Sequence, residues 1–267
     1  MLCVGLDPDF ERLPATYLAR EKSQGDGVLT FCCDIADATA DLVCAFKPQI
    51  AYFAALGKED QLRRLIDYLH EKHPGVAVIL DAKRGDIGST ARLYAVEAFE
   101  RYAADAVTVN PYLGSESVQP YLEYQDRGVI VLCRTSNADS AWLQNYPEDE
   151  PVYLRVARAA VQWNSAGNVM LVAGATYPEE LARIREVVGD MPLLVPGVGA
   201  QGGDLAAVVQ NGADSTGHGL VINASRSVLY AGEAGGNLAA NAHEAAAELR
   251  DEISRLQAEI TPDRAVV

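Results

Sequence analysis

"VAVILDAKRGDIGST", residues 76–90, is the stretch of sequence that most narrows the possible folds. Its first five residues are apolar and mostly β-branched, as in a buried strand. The run then closes with opposite charges, Asp81, Lys83 and Asp86, and a helical pattern begins directly after them. A buried strand that ends in charges and leads into a helix predicts a parallel α/β unit with functional side chains at its carboxyl end.

The same alternation of apolar runs and helical patterns continues through the whole chain. Helical patterns cover about 30–42, 58–72, 88–103, 151–163, 178–189 and 203–211, with a closing helix at about 237–258. We therefore predict a single (β/α)8 TIM barrel over 1–267, with a doubly wound open sheet as the alternative. A long polar loop is expected at about 135–151, after the fifth strand. The eight predicted strands are 2–7, 43–48, 76–83, 106–111, 129–134, 169–175, 192–198 and 219–225.

The composition limits the cellular compartment and the binding partners that can be expected of the protein. The chain has 267 residues, of which 49% are hydrophobic, and no run is long enough to cross a membrane. No secretory leader precedes "LCVGLDP", and five cysteines without a CxxC pair indicate reduced thiols, so a cytoplasmic protein is expected. The net charge of −15 argues against nucleic acid as a partner. An anionic substrate would need a local cationic pocket.

Charged residues end three neighbouring strands of the predicted barrel. Side chains alternate along a strand, so Asp81 and Lys83 share the face of Ile79, and the same rule places Asp7 and Lys47 at the ends of strands one and two. Carboxyl ends of barrel strands form the active-site rim. A single charge of this kind is often only a solvated strand end. Four such charges on three adjacent strands predict one active site at this end of the barrel.

The chemistry of these residues narrows the options. A lysine between carboxylates is expected to be an ammonium, which is a poor Schiff-base nucleophile but a good proton donor. The four histidines form no HxH or HExxH pattern, so no histidine metal site is predicted. No GxGxxG follows the first strand, and no GxxxxGK[ST] occurs. The sequence therefore predicts no bound cofactor.

Two later motifs indicate a phosphate site. "VPGVGAQGGD" (195–204) follows strand seven and leads into a helix, and "NASRS" (223–227) follows strand eight. Barrels often bind phosphate at these two loops, through backbone N–H groups and a nearby cation. Arg226 would supply that cation.

Taken together, these residues resemble the orotidine 5'-phosphate decarboxylase family in its longer bacterial and archaeal form. The resemblance covers nearly the whole chain, and its third motif is highly specific. It implies cofactor-free conversion of orotidine 5'-phosphate to uridine 5'-phosphate in pyrimidine biosynthesis, with a small-molecule nucleotide as the substrate. The motifs are "VGLDP" (4–8), "FKPQ" (46–49), "DAKRGDIGST" (81–90), "NPYLG" (110–114), "PGVGAQGG" (196–203) and "NASRSVLYA" (223–231).

The resemblance also assigns roles to individual residues. It implies a catalytic array in which Lys83 donates the proton, and a homodimer in which Asp86 and Thr90 reach the partner's site. Asp7 would bind the ribose and Ser136, in the loop after strand five, the pyrimidine. The array is Lys47, Asp81, Lys83 and Asp86, and the residues expected at the phosphate are Pro196, Gly197, Gln201 and Arg226.

One alternative function and one departure from the family pattern remain at this stage. A sister family shares the DxKxxD pattern but decarboxylates a phosphosugar with magnesium, so a magnesium-dependent phosphosugar decarboxylase or an isomerase of the same barrel superfamily is the second candidate. That family has an acidic metal ligand where Lys47 stands, and a lysine would repel the metal. The longer form also usually has a helix before "LCVGLDP", so either the start of the chain is misassigned or the barrel bottom is less covered here.

Overall fold

A computed structural model describes residues 1–198, 202–232 and 236–260. The described residues form eight parallel strands in a closed barrel, in which each strand pairs with its sequence neighbours and β8 closes onto β1. This confirms the (β/α)8 barrel and excludes the open sheet. The strands are β1 (Leu2–Leu6), β2 (Ala45–Pro48), β3 (Ala77–Arg84), β4 (Ala106–Val109), β5 (Gly128–Arg134), β6 (Val169–Ala173), β7 (Leu193–Pro196) and β8 (Leu220–Ala224).

Helices surround the barrel, and those of eight residues or more lie close to their predicted positions, except Ala15–Gln24. The helix after β3 continues into a π-helical turn, Glu97–Arg101. The helices are α1 (Ala15–Gln24), α2 (Gly27–Thr39), α3 (Ile50–Ala54), α4 (Glu59–Lys72), α5 (Gly88–Val96), α6 (Gln119–Leu122), α7 (Ala141–Gln144), α8 (Val152–Trp163), α9 (Pro178–Val188), α10 (Leu205–Gly212), α11 (Arg226–Leu229) and α12 (Leu238–Ile260).

The two-residue period of the strands divides the core into an inner and an outer layer. Outward residues, such as Val78 and Leu80 of β3, pack beneath the helices in the larger cluster. Helix α4 contributes Leu62, Leu65 and Leu69 to this layer at helical spacing. The inner cluster fills the barrel beneath its carboxyl end and contains Cys3, Ala45, Ile79, Ala106, Ile130, Val172 and Leu194.

Two parts of the chain differ from the sequence-based prediction. Residues 110–127, all described, contain 3-10 turns and the four-residue α6, so β4 is not followed by a full helix. Helix α1 was not predicted; none of its residues is fully buried, and its second half, residues 20–24, is wholly polar. The polar loop at 135–151 contains a 3-10 turn and the short helix α7.

The composition led to expectations about the cysteines and about membrane-spanning segments. All five cysteines lie among the described residues and are free thiols. In the described part of the chain, no helix has both the length and the apolar character needed to cross a membrane. The assignment of the whole range 1–267 to one domain stays a prediction.

Candidate active site

A cavity of about 480 Å³ opens at the carboxyl ends of the strands. Its floor is apolar, formed by Leu132, Val172 and Leu194, and its walls are polar. Three cationic side chains and two carboxylates line it, so a chain of charge −15 has a locally cationic pocket. The polar lining consists of Asp7, Lys47, Gln49, Tyr52, Asp81, Lys83, Thr108, Thr135, Ser136, Asn137, Asn223, Ser225 and Arg226.

Asp81 is the centre of the charged cluster. Its Oδ2 accepts a hydrogen bond from Lys47 Nζ at 2.9 Å, and its Oδ1 accepts one from Lys83 Nζ at 2.7 Å. Asp81 and Lys47 are buried, whereas the side chain of Lys83 is 47% exposed. Lys83 is therefore the member of the cluster that is open to a molecule in the cavity.

The cluster fixes the ionisation of its two buried members. Burial alone would raise the pKa of Asp81, but the ammonium groups of Lys47 and Lys83 outweigh it and hold that pKa well below its usual range. Burial would likewise lower the pKa of Lys47, yet the Asp81 and Asp7 carboxylates raise it above its ordinary value. Asp81 and Lys47 are therefore both charged at neutral pH.

A bulge in β3 brings Lys83 to the cavity. The strict alternation expected from the sequence holds as far as Asp81, but the β3–β4 register shifts between Leu80 and Arg84. Lys83 has a φ of +47°, in the left-handed region. The expected contact between Asp81 and Lys83 is present, but the backbone that produces it is bulged and not a regular strand.

Five of the other residues predicted for the substrate line the cavity: Asp7, Ser136, Pro196, Gly197 and Arg226. Asp7 lines the wall, and its buried Oδ1 has no hydrogen-bond partner among the described residues. Pro196 and Gly197 also line the cavity, and Gly197 has a φ of +100° that favours glycine. Arg226 is exposed at the rim. Gln201 lies outside the described residues.

Ser136 lies at the rim on the loop after β5, and this loop is firmly anchored. The buried guanidinium of Arg134 contacts Glu180 and Ser140, donates to Gln144 Oε1 at 3.2 Å, and stacks on a tyrosine ring. The Ser136 backbone packs so closely on Gly174 that a Cβ there would come within 2.8 Å of it. These contacts hold Ser136 in place beside the cavity.

Asp86 and Thr90 do not join the cluster within one chain. Neither residue is among the described residues that line the cavity. Asp86 is half-buried and accepts a hydrogen bond from the Ile87 N–H at 2.8 Å, while Thr90 is exposed on α5. Contribution of both residues to a partner's site stays a prediction.

Several polar cavity residues were not singled out from the sequence. Gln49 follows Lys47, and Thr108 follows Ala106, at the two-residue spacing of their strands, so the same alternation that found Lys47 could have found both. Asn223 and Ser225 belong to a motif that was read only for its arginine. Asn137 adjoins Ser136 in an irregular loop, and no periodicity indicates where its side chain lies.

The acidic side chains at the cavity bear on whether it could hold a metal ion. Among residues 1–198, 202–232 and 236–260, no group of three or more His, Cys, Asp or Glu side chains is arranged to hold a metal ion. The two carboxylates of the cavity, Asp7 and Asp81, both interact electrostatically with the ammonium of Lys47. These residues do not fit a divalent cation at this position.

Comparison with known proteins agrees with this geometry. The profile described as "Orotidine 5'-phosphate decarboxylase / HUMPS family" matches residues 1–240. The chain belongs to this family. An orotidine 5'-phosphate decarboxylase from Dechloromonas aromatica is 60% identical over 256 residues, covering 95% of this chain and 93% of the relative. One from Aromatoleum aromaticum is 59% identical over 258 residues, covering 96% and 93%.

Solved structures place the chain in the same orotidine 5'-phosphate decarboxylase family. The OMP decarboxylase of Leishmania donovani superposes with a TM-score of 0.83 at 38% identity, covering 96% of this chain and 93% of that one. The UMP synthase of Leishmania donovani gives a TM-score of 0.84 at 39% identity, and the match covers 96% of this chain and 53% of that one. The resemblance drawn from the sequence motifs is therefore confirmed.

Proposed function

We propose that this chain is a carboxy-lyase that converts orotidine 5'-phosphate to uridine 5'-phosphate in de novo pyrimidine biosynthesis. The observation that carries the proposal is the cluster of Lys47, Asp81 and Lys83 below a cationic cavity mouth. Curated decarboxylases about 60% identical over nearly the whole chain support it.

The roles of the charged residues follow from their positions. In the proposed complex, Asp81 faces the substrate carboxylate, and the repulsion between them is relieved when CO2 leaves. The C6–carboxylate bond breaks and its electron pair stays on C6, next to the Lys83 ammonium. Lys83 Nζ then donates its proton to C6 and is reprotonated from solvent. Lys47 holds Asp81 charged and oriented.

Recognition of the rest of the nucleotide uses the rim. Asp7, with an unpaired carboxylate oxygen in the wall, is suited to accept hydrogen bonds from the ribose hydroxyls. Ser136, on its anchored loop, is assigned to the pyrimidine. The phosphate is assigned to Pro196, Gly197, Gln201 and Arg226, of which Arg226 supplies the charge.

The energy of an ion pair is too small for the charged cluster alone to account for catalysis. At about 3 Å and an effective dielectric constant near 20, one ion pair contributes about 5 kcal/mol. Slow reactions can require a barrier reduction of about 20 kcal/mol or more. The remainder must come from binding energy at groups remote from C6, chiefly the phosphate, together with exclusion of water.

We further propose that the enzyme is a homodimer in the cytoplasm. Ile87 and Leu93, which neighbour Asp86 and Thr90 along the chain, are apolar and each at least half exposed, as expected of a face that another subunit covers. The free thiols agree with a reducing compartment.

Subunit mixing tests the contribution of Asp86 across the dimer. Asp86→Asn and Lys83→Ala, each inactive alone, should give a heterodimer with one intact site when co-expressed with different tags. That heterodimer is expected to show about half of the wild-type activity per dimer, because a twofold dimer has two equivalent sites. Lys83→Ala paired with Asp81→Asn is the control and should stay inactive. An inactive Asp86→Asn heterodimer, or none that can be isolated, would rule out this arrangement.

A chelator test separates this function from the magnesium-dependent phosphosugar decarboxylase. Purified protein mixed with orotidine 5'-phosphate should lower the absorbance of the substrate at the same rate with and without EDTA, because an ammonium and not a metal stabilises the carbanion. A rate that falls with EDTA and returns with Mg²⁺ would favour the alternative. No absorbance change in either sample would refute the proposed function.

A further inference from the structure

The bulge in β3 requires support that the strand ladder does not supply. From the Leu80↔Val107 pair to the Arg84↔Val109 pair, β3 advances four residues while β4 advances two. Residues within such a bulge lose their ladder partners. Lys83 in addition has a left-handed φ of +47°, which costs a non-glycine residue free energy unless the surroundings hold it there.

One side chain of β4 pairs with the backbone N–H groups that the bulge leaves without ladder partners. The hydroxyl of Thr108 accepts hydrogen bonds from the Ala82 N–H at 3.0 Å and the Lys83 N–H at 2.9 Å. It donates to Asp81 Oδ1 at 2.8 Å. Thr108 is 1% exposed, and these three bonds use its one donor and both acceptor sites.

We propose that Thr108 is a positioning residue for the decarboxylation proposed above, on which this inference rests. Its hydroxyl sets the backbone of Lys83 and also orients Asp81 Oδ1, the same oxygen that Lys83 Nζ contacts at 2.7 Å. Thr108 thereby fixes the distance and direction of the proton donor relative to its counter-ion. A misplaced ammonium would weaken carbanion stabilisation much more than substrate binding.

Three variants separate this role from simple packing. Thr108→Val keeps the shape but removes the hydroxyl, and it is expected to lower kcat about 10- to 100-fold, because it leaves two N–H groups unpaired. KM and the inhibition constant of uridine 5'-phosphate should change by less than about threefold. Thr108→Ser, which restores the hydroxyl, should recover kcat to within about fivefold of wild type.

Thr39→Val is the matched control. Thr39 is equally buried and donates its hydroxyl hydrogen bond to the Ile35 carbonyl at 2.8 Å within α2, away from the cavity. This variant should lose thermal stability as Thr108→Val does, yet keep kcat within about twofold. The comparison separates the cost of losing a buried hydroxyl from the loss of positioning.

The outcomes distinguish the two proposals. A Thr108→Val protein with kcat within twofold of wild type, or a Thr108→Ser protein as slow as it, would overturn the positioning role while leaving the function intact. A wild-type protein that does not turn over orotidine 5'-phosphate would overturn both. Where Thr108→Val does not fold, Thr108→Ala takes its place, with the same comparison to Thr108→Ser.

Discussion

Replacing Lys83 with alanine is expected to lower kcat for orotidine 5'-phosphate by at least about 10,000-fold. Loss of an ion pair worth about 5 kcal/mol alone slows the reaction by more than about 1,000-fold. Loss of a positioned proton donor adds roughly another 100-fold or more. Single-turnover kinetics with protein in excess over substrate measure this loss directly.

Binding should change much less than turnover in this variant. Uridine 5'-phosphate carries no negative charge at C6, so its affinity for Lys83→Ala is expected to stay within about tenfold of wild type. Lys72→Ala is the matched control, because Lys72 is an exposed lysine at the end of α4 paired with Glu71. It should have wild-type kinetics. A Lys83→Ala protein with kcat within tenfold of wild type would contradict the assigned role.

Replacing Arg226 with alanine is expected to lower kcat/KM by about 100-fold or more, although its side chain lies at the cavity rim. A bidentate, charge-assisted contact between guanidinium and phosphate is worth roughly two hydrogen bonds of about 1.5–3 kcal/mol each. Part of this energy is expected in kcat, because remote binding energy helps to position the substrate and desolvate the reacting centre. Steady-state kinetics over a range of substrate concentrations check this expectation.

Orotidine without its phosphate is the control for the Arg226 prediction. It lacks the group that Arg226 is proposed to bind, so wild type and Arg226→Ala should turn it over at similar, low rates. Arg226→Lys should recover only part of the loss, because a lysine provides a point charge and not a planar fork. Equal losses on orotidine and on its 5'-phosphate would place Arg226 outside phosphate recognition.

Much of the fold and part of the site could be predicted from the sequence. Eight apolar runs of strand length between helical patterns predicted the barrel, because each strand is buried beneath helices on its outer face and inside the barrel on its inner face. The two-residue period correctly put Asp7, Lys47 and Asp81 at one end of the barrel, since it depends only on the pleat of the strand.

Features that depend on tertiary contacts could not be predicted in this way. The bulge that re-aims Lys83 arises from a register shift against β4, and nothing in the local sequence 80–84 signals it. The role of Thr108 becomes visible only when two adjacent strands are aligned. The anchor of the loop after β5 depends on Arg134 reaching Glu180 on α9, 46 residues later in the chain.

The central claim is that the protein releases CO2 from orotidine 5'-phosphate without a metal, by protonation at C6. The most direct test incubates chelator-treated protein with orotidine 5'-phosphate in D2O and follows the products by proton NMR. We predict complete conversion to uridine 5'-phosphate with deuterium at C6, seen as a C5–H singlet without a C6–H signal, because Lys83 exchanges its protons with solvent. Unchanged substrate, or conversion that begins only after Mg²⁺ is added, would contradict the claim.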